Sequence, residues 1–216
     1  MTQTLIVEPI QPPIAEKRLT LHNVTWQTYQ ELSRLLGDRP VKINFDGNIL
    51  EMIMPLEIHE FISAMFETFI RILVIELELN IKTMGSTTLS REDLGRGAEP
   101  DNAYYIQNQP LVKGRDVNLS SDPPPDLVVE VDITHTDINK LKLYEAFGVS
   151  ELWRYDGKVW QIYQLIDGQY QEQEYSPTFP KVPKTWLYEF LITVREDEVA
   201  AVKELQQKVK YLGTGL

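Results

Sequence analysis

The amino-acid sequence predicts a mixed α/β fold in which helices pack on a sheet of parallel and antiparallel strands. A predicted helix lies between the strands that end at Val131 and begin at Glu151, and such a crossing allows these two strands to run parallel. Asp-Gly pairs at 46–47, 156–157 and 167–168 separate apolar runs, which is typical of tight antiparallel hairpins. The chain has no internal repeat and no flexible linker, so we expect one domain.

The composition of the chain limits the classes of protein to which it belongs. Its 216 residues are 43% hydrophobic and 25% charged, as in a globular protein that buries a core. No run of about 18 apolar residues is present, so we expect no membrane span. Cysteine is absent, which excludes disulfide scaffolds and thiol catalysis. The N-terminus lacks the pattern of a secretory signal, and we therefore expect a cytoplasmic location.

The net charge of −11 limits the expected partners. An acidic chain repels polyanions at long range, which argues against strong non-specific binding to nucleic acid. Carboxylates that hold a divalent cation also contribute to a negative count. A metal-dependent enzyme that acts on nucleic acid is therefore compatible with this charge.

Turn residues, helix caps and hydrophobic periodicity assign an element to most of the chain. The predicted elements are a flexible arm (1–18), a helix (25–36), strands (41–45 and 48–54), a helix (55–73), a strand (81–89), a charged loop (91–99), strands (103–106 and 126–131), a helix (137–147), strands (151–155 and 159–165) and a terminal helix (196–210). Thr25 and Thr136 are suitable N-caps, and Gly37 and Gly148 are suitable helix stops. We group residues 19–194 as the folded domain and 195–216 as a C-terminal helix and tail.

Acidic residues on two predicted strands are the best candidates for a chemical site. Asp101 begins one strand, and Glu130 lies within another that is otherwise apolar, where an unpaired charge costs several kcal/mol. Asp132 points to the same side as Glu130, and Lys140 lies one turn into the next helix. Two explanations are open. The carboxylates hold a hard cation such as Mg²⁺, or Glu130 and Lys140 form a buried ion pair.

Four motifs occur in an order that is more specific than any one of them. They are FDGNILEMIMP (45–55) followed by His59, EPDNAYYI (99–106), PPDLVVEV (124–131) and KLKLYEAFGVSELWRYDG (140–157). Together they resemble the Uma2 family, whose fold is similar to the PD-(D/E)XK restriction-endonuclease-like nucleases. The resemblance covers residues 20–190. It implies a mixed sheet with an αβββαβ core and flanking β-hairpins, and the predicted order of elements matches that core.

The resemblance also implies an activity, which is endonucleolytic hydrolysis of nucleic acid, DNA above all, with Mg²⁺ or Mn²⁺ as cofactor. The Pro-Asp aspartate of the family corresponds to Asp101 and the strand glutamate to Glu130, and both are implied metal ligands and catalytic residues. Nucleases of this fold often act as dimers, so the resemblance allows a homodimer. The alternative is a catalytically inactive nuclease-fold binding module.

The third and fourth catalytic positions are less direct in this chain. The lysine that such nucleases carry two residues after the glutamate is Asp132 here. The resemblance therefore implies either a relocated lysine, with Lys140 as the matching position, or a lost activity. A glutamate of the long helix often completes such sites, and Glu60 is preferred to Glu67 because it adjoins the His59 of the motif.

Other notable residues have simpler explanations. His59 is expected to bond locally at its helix start, and Lys142 to lie at the surface. Trp153, Tyr155 and Trp160 flank a hairpin turn, where aromatic residues more often pack a core or a dimer contact than stack on bases. The terminal helix is expected to pack on its own domain or on a second subunit.

Overall fold

The computed structural model describes residues 17–37 and 39–213, which form eleven strands and six helices. The strands are β1 (Lys17–Leu21), β2 (Lys42–Phe45), β3 (Leu50–Met54), β4 (Lys82–Thr83), β5 (Leu89–Arg91), β6 (Arg96–Ala98), β7 (Asn102–Tyr105), β8 (Leu127–Val131), β9 (Glu151–Tyr155), β10 (Trp160–Ile166) and β11 (Gln169–Gln173). The helices are α1 (Trp26–Leu36), α2 (Glu57–Glu76), α3 (Gln109–Val112), α4 (Lys140–Phe147), α5 (Lys184–Thr193) and α6 (Glu198–Gly213). Residues 1–16 of the predicted arm lie outside the described residues, whereas Lys17 and Arg18 begin β1.

A mixed six-stranded sheet confirms the predicted fold class. Its strands lie in the order β11-β10-β9-β8-β7-β4. The strands β8 and β9, which α4 connects, run parallel, and the other neighbouring pairs of this sheet are antiparallel. The remaining strands form an antiparallel sheet in the order β1-β3-β2-β6-β5, which we call the second sheet. The fold is therefore consistent with a restriction-endonuclease-like architecture.

The predicted αβββαβ order is present, with one rearrangement in the first strand. Its elements are α2, β4, β7, β8, α4 and β9. The single strand predicted at 81–89 is wrong, because the chain turns near Gly85, whose φ of 57° favours glycine. Strand β4 thus keeps two residues in the mixed sheet, and Leu89 begins β5 in the second sheet. The charged loop predicted at 91–99 is also wrong in part, since β5 and β6 pair there as a hairpin.

Helix α4 begins later than the sequence predicts. Thr136 does not cap it: its hydroxyl oxygen accepts from the backbone N–H of Ile138 at 3.3 Å, in the loop before the helix, and its hydroxyl donates to Glu51. The N-cap is Asn139, whose side chain accepts from the backbone N–H of Lys142 at 3.1 Å. Gly148, with a φ of 76°, ends the helix as predicted. Helix α5 has no counterpart among the predicted elements, since apolar residues occur all round it and leave no stripe.

Helix α2 lies at the centre of the largest apolar core. Phe66, Phe69 and Leu73 on its predicted apolar face are fully buried. Phe66 packs against Trp153 and Trp160 of the mixed sheet, at ring-centroid distances of 6.5 and 6.4 Å. These tryptophans are therefore core residues, as predicted. The terminal helix α6 contacts α2 and α5, so it packs on its own domain. No helix in the described residues combines the length and apolar character that crossing a membrane requires.

A buried glutamate of the second sheet holds the loop that leads into α4. Glu51 on β3 is fully buried and accepts a hydrogen bond from Arg18 Nη1 at 2.9 Å. It also accepts from Thr136 Oγ1 at 2.8 Å and from the backbone N–H of Asp137 at 2.6 Å. Residues 132–139 connect the end of β8 to the start of α4. Glu51 therefore fixes the position of α4 relative to β8.

We expect the substitution Glu51→Gln to lower the free energy of unfolding by about 2 kcal/mol, because charge-assisted bonds weaken and a buried donor loses its acceptor. Urea unfolding followed by tryptophan fluorescence measures this change. Glu57→Gln, at an exposed position of α2, is the control and should change stability by less than about 0.5 kcal/mol. Equal stability of Glu51→Gln and the parent protein would contradict the role given to Glu51.

Candidate active site

Asp101 and Glu130 lie beside each other on neighbouring strands of the mixed sheet. Asp101 directly precedes Asn102, which pairs with Val129 of β8, and this register brings Asp101 next to Glu130. Both carboxylates are buried. They line one small cavity together with Lys140. Three of the residues predicted from the sequence therefore converge, although they lie on different elements.

Asp101 is contacted from three different elements. Its Oδ1 meets the ammonium of Lys42 on β2 and lies 3.2 Å from Nε2 of His59 on α2. Its Oδ2 accepts a hydrogen bond from the backbone N–H of Val131 at 2.6 Å. Burial opposes ionisation, but the contacts with His59 and Lys42 outweigh it and lower the pKa of Asp101 well below its usual range. Asp101 is therefore a carboxylate at neutral pH.

Glu130 is held by two side chains of α4. Its Oε1 accepts hydrogen bonds from Lys140 Nζ at 2.9 Å and from the Tyr144 hydroxyl. Lys140 and Tyr144 are four residues apart, so they share one face of the helix. Burial raises the pKa of Glu130, Lys140 opposes this rise, and the charge of Asp101 reinforces it. Burial also disfavours the charge on Lys140, but Glu130 outweighs burial and raises the pKa of Lys140.

The buried Glu130–Lys140 ion pair, one of the two explanations offered by the sequence, is thus present. It does not use the whole carboxylate of Glu130. The second oxygen, Oε2, accepts no hydrogen bond from any residue in the described ranges. Ion pairing and cation binding are therefore compatible at this residue.

Asp132 occupies the position at which the resemblance leads us to expect a lysine, and it pairs with an arginine. Two nitrogens of Arg154, Nε and Nη2, lie 2.9 and 2.8 Å from one oxygen of Asp132. The parallel register of β8 and β9 sets Arg154 opposite Glu130. Asp132 follows Glu130 by two residues and points to the same side, which brings it within reach of Arg154. The ammonium groups of the cavity come from Lys42 and Lys140 instead.

The acidic candidates on α2 lie outside the cavity. The side chain of Glu60 is 60% exposed, and its Oε1 lies 3.4 Å from Nδ1 of His59. Glu67 pairs with Arg71 on the same helix at 2.7 Å. Glu60 therefore connects to Asp101 through His59, and its catalytic role stays a prediction.

His59 belongs to the cavity, which the sequence interpretation missed. It does lie near Glu60, as a local bond requires, but its ring is buried and its Nε2 contacts Asp101. The signal that identifies it is helical spacing, since His59, Ile62 and Phe66 follow one buried face of α2. A contact between Nε2 and a carboxylate requires the proton on that nitrogen.

Lys42 is the second cavity residue that the sequence interpretation missed. Alternation along β2 sets Lys42 and Asn44 on one face and the buried Ile43 and Phe45 on the other. Lys42 and Asn44 both line the cavity. The strand itself is predictable, but the approach of the second sheet to the mixed sheet is not, because it depends on tertiary packing.

The donor set of the cavity fits a hard divalent cation. The cavity has a volume of about 10 Å³, enough for one water-sized species. Carboxylate oxygens are the donors that Mg²⁺ prefers, and this ion commonly keeps several waters and takes one or two carboxylates. Within residues 17–37 and 39–213, no three His, Asp or Glu side chains form a metal-binding group. Asp101 and Glu130 therefore supply the donors that such a cation prefers, and a hydrated ion requires the cavity to widen beyond its room for one water-sized species.

Comparison with known protein families identifies a family for most of the chain. The family model Uma2, described as "Putative restriction endonuclease", matches residues 26–195 of this chain. The matched range contains Lys42, His59, Asp101, Glu130 and Lys140, and it ends before α6 begins. No curated protein matches the sequence.

We expect Lys140→Met to lower the free energy of unfolding by about 3–5 kcal/mol, because it leaves Glu130 buried without its cation. The double variant Glu130→Gln/Lys140→Met should recover much of this loss, since no unpaired charge remains. Urea unfolding gives both values. Lys142→Met is the matched control: its side chain is 62% exposed, and the expected change is below about 0.5 kcal/mol. A fully stable Lys140→Met protein would contradict the importance of the pair.

The lowered pKa of Asp101 predicts a specific response to acid. The unfolded chain takes up a proton at this residue below about pH 4, whereas the folded protein does so only at lower pH. As the pH falls in this range, the free energy of unfolding of the parent should decrease by up to about 1.4 kcal/mol per pH unit because of Asp101. Asp101→Asn has no carboxylate there and should not show this part of the decrease. Urea unfolding at a series of pH values from about 5 down to about 2.5 compares the two proteins. Parallel curves would show that Asp101 is not held ionised.

Proposed function

The chain belongs to the Uma2 family, and we propose that it is a divalent-metal-dependent endonuclease that hydrolyses phosphodiester bonds of DNA. The observation that supports the proposal most is the convergence of Asp101, Glu130 and Lys140 at one buried cavity. The family description and the restriction-endonuclease-like arrangement of the mixed sheet agree with it. The proposal includes the cytoplasmic location and the homodimer that the sequence leads us to expect.

We assign Asp101 and Glu130 as the residues that hold Mg²⁺ or Mn²⁺. Both are buried carboxylates, and Asp101 is ionised over the physiological pH range. When bound, such an ion polarises a phosphoryl oxygen and neutralises the charge that develops on the phosphate. His59 and the backbone N–H of Val131 keep Asp101 oriented, since His59 Nε2 lies 3.2 Å from Oδ1 and Val131 donates to Oδ2.

Lys140 and Tyr144 keep the carboxylate of Glu130 oriented. Both donate to Oε1, which leaves Oε2 available to a cation. The resemblance gives Lys140 the part of the catalytic lysine, and its charge next to Glu130 contributes positive potential where the phosphate must bind. Glu60 is assigned an indirect part, through its contact with His59.

The reaction consumes one water for each bond cleaved. The water oxygen forms a bond to phosphorus while the bond from phosphorus to one ester oxygen breaks. One proton of the water passes to solvent, and the released ester oxygen takes a proton from solvent. The products are one phosphate monoester and one hydroxyl group. The buried carboxylates and their fixed partners supply an arrangement that needs little reorganisation during this step.

The charge of the chain predicts how DNA binds. The net charge is −11, and the lysines of the cavity are already engaged by carboxylates. A protein with few clustered cations gains little from counterion release on DNA. We therefore expect weak binding that depends on the metal.

A catalytically inactive binding module with this fold is the second candidate function. It is favoured by Asp132, which replaces the expected lysine and pairs with Arg154, so that this position contributes no ammonium. Asp101 and Glu130 would hold a metal ion equally well in such a module. The two candidates differ in whether phosphodiester bonds are cleaved.

The proposal is tested by metal binding and DNA cleavage on the same samples. Mg²⁺ and Mn²⁺ are titrated calorimetrically into the parent, Asp101→Asn and Glu130→Gln proteins, and nicking of supercoiled plasmid is then followed. We expect the parent to bind metal and nick DNA, and both variants to lose metal binding and to cleave at least about a hundredfold more slowly.

Glu57→Gln is the control, since Glu57 is exposed on α2 and lies outside the cavity. It should bind metal and nick DNA as the parent does. Glu60→Gln measures the indirect part assigned to that residue. Metal binding without nicking would favour the binding module. A parent protein that binds no metal would contradict both candidate functions.

A further inference from the structure

The cavity contains two lysines whose surroundings differ. Lys140 comes from α4 and Lys42 from β2 of the second sheet. The resemblance leads us to expect one lysine that acts on the substrate. The contacts of each ammonium indicate which of the two is able to do so.

Lys140 is enclosed and fixed. Its side chain is 2% exposed, and its Nζ donates to Glu130 at 2.9 Å. The Tyr144 hydroxyl donates to the same oxygen and closes the group on a second side. If Lys140 moved toward a substrate, Glu130 would remain buried without its cation, which is strongly unfavourable. Lys140 is therefore suited to holding Glu130 in place.

Lys42 is partly accessible and less constrained. Its side chain is 17% exposed, and its ammonium contacts Oδ1 of Asp101. Among the described residues it has no other hydrogen-bond acceptor. If Lys42 leaves, Asp101 keeps the contacts from His59 and from the backbone N–H of Val131. The flexible four-carbon stem of a lysine allows its ammonium to move between nearby anions.

We propose that Lys42 is the lysine through which the site contacts the phosphodiester, and that Lys140 is the fixed counter-ion of Glu130. This inference rests on the proposed endonuclease function. Oδ1 of Asp101 already contacts both Lys42 and His59, and the ammonium of Lys42 repels a metal ion at this oxygen, so metal binding and release of Lys42 are coupled. The released ammonium then donates hydrogen bonds to a phosphoryl oxygen, where negative charge develops during hydrolysis.

The arrangement also explains how the site tolerates Asp132. A lysine two residues after Glu130 would approach the cavity from β8 itself. Here Arg154 neutralises Asp132. The second sheet supplies the accessible ammonium from across the cavity. The contact between an ammonium and the phosphate is thereby retained, but Lys42 of β2 makes it and not a residue of β8.

The coupling is tested without reference to activity by measuring the reactivity of each lysine. The full-length protein is reductively methylated with and without Mg²⁺, and labelling is quantified for each residue by mass spectrometry. We expect Mg²⁺ to increase the labelling of Lys42 several-fold and a short single-stranded oligonucleotide to reduce it again. Lys140 should stay protected throughout, and Lys142, exposed on the same helix, should stay reactive throughout.

The role in the reaction is tested with Lys42→Met, Lys42→Arg and the control Lys142→Met. Lys42→Met should fold but lose some stability, because Asp101 loses an ammonium while it keeps the contacts from His59 and the backbone N–H of Val131. It should bind Mg²⁺ more tightly because a competing cation is gone, and lose at least about a hundredfold in kcat. Lys42→Arg should recover part of that loss, since its charge is retained. Lys142→Met should match the parent in all three measurements.

The outcomes separate this inference from the function on which it rests. Parental cleavage by Lys42→Met would overturn the assignment of Lys42. So would labelling of Lys42 that does not respond when calorimetry shows Mg²⁺ bound. If the parent protein binds Mg²⁺ but cleaves no DNA, the endonuclease function fails. A rise in Lys42 labelling would then still support the exchange of Lys42 for metal at Asp101.

Discussion

Two buried carboxylates placed next to each other need positive charge, and this need connects the separate parts of the molecule. Asp101 and Glu130 are neighbours because β7 and β8 pair with a particular register. Neither could remain ionised in that position without a cation close by. The cations come from β2 and α4, and a histidine comes from α2. The site therefore requires both sheets and two helices to pack correctly at one point.

The local charge at the cavity differs from that of the whole chain. The chain carries a net charge of −11, but two of the carboxylates that line the cavity, Asp101 and Glu130, are matched by Lys42 and Lys140. Asp132 is likewise matched by Arg154. The acidic excess therefore lies elsewhere, where it weakens long-range attraction to polyanions without determining what the cavity binds. A site of this kind selects its ligand through short-range contacts.

The sequence predicts those parts of the fold that depend on local signals. Asp-Gly turns, the Thr25 cap and the Gly148 stop are encoded within a few residues, and they agree with the structure. In the loop before the late start of α4, Thr136 and the backbone N–H of Asp137 donate hydrogen bonds to Glu51, which lies far away in the chain. Sequence patterns do not reveal such a contact, and the same holds for the division of the strand predicted at 81–89 between two sheets.

The residues of the candidate site also divide into those that a local sequence signal identifies and those that only tertiary packing brings there. Asp101, Glu130 and Lys140 are recognisable because a charge within an apolar strand requires explanation and a helix follows directly. The spacing of His59 on α2 was available as a signal, but it does not identify a partner. Lys42 is unremarkable in the sequence, since a lysine at an alternating strand position is common. Its place beside Asp101 results from the packing of two sheets, which no local pattern encodes.

The packing of α6 on α2 has a consequence for the order in which the domain is completed during synthesis. Helix α6 is translated after the elements from β1 to α5, yet Ala201, Leu205 and Val209 belong to the same apolar core as α2. Until α6 leaves the ribosome, that side of α2 has no cover, although the chain from β1 to α5 is already made. Chaperones recognise such exposed apolar surface in nascent chains. This layer of the core can therefore form only after α6 has been translated, when the chain from β1 to α5 is already available to fold.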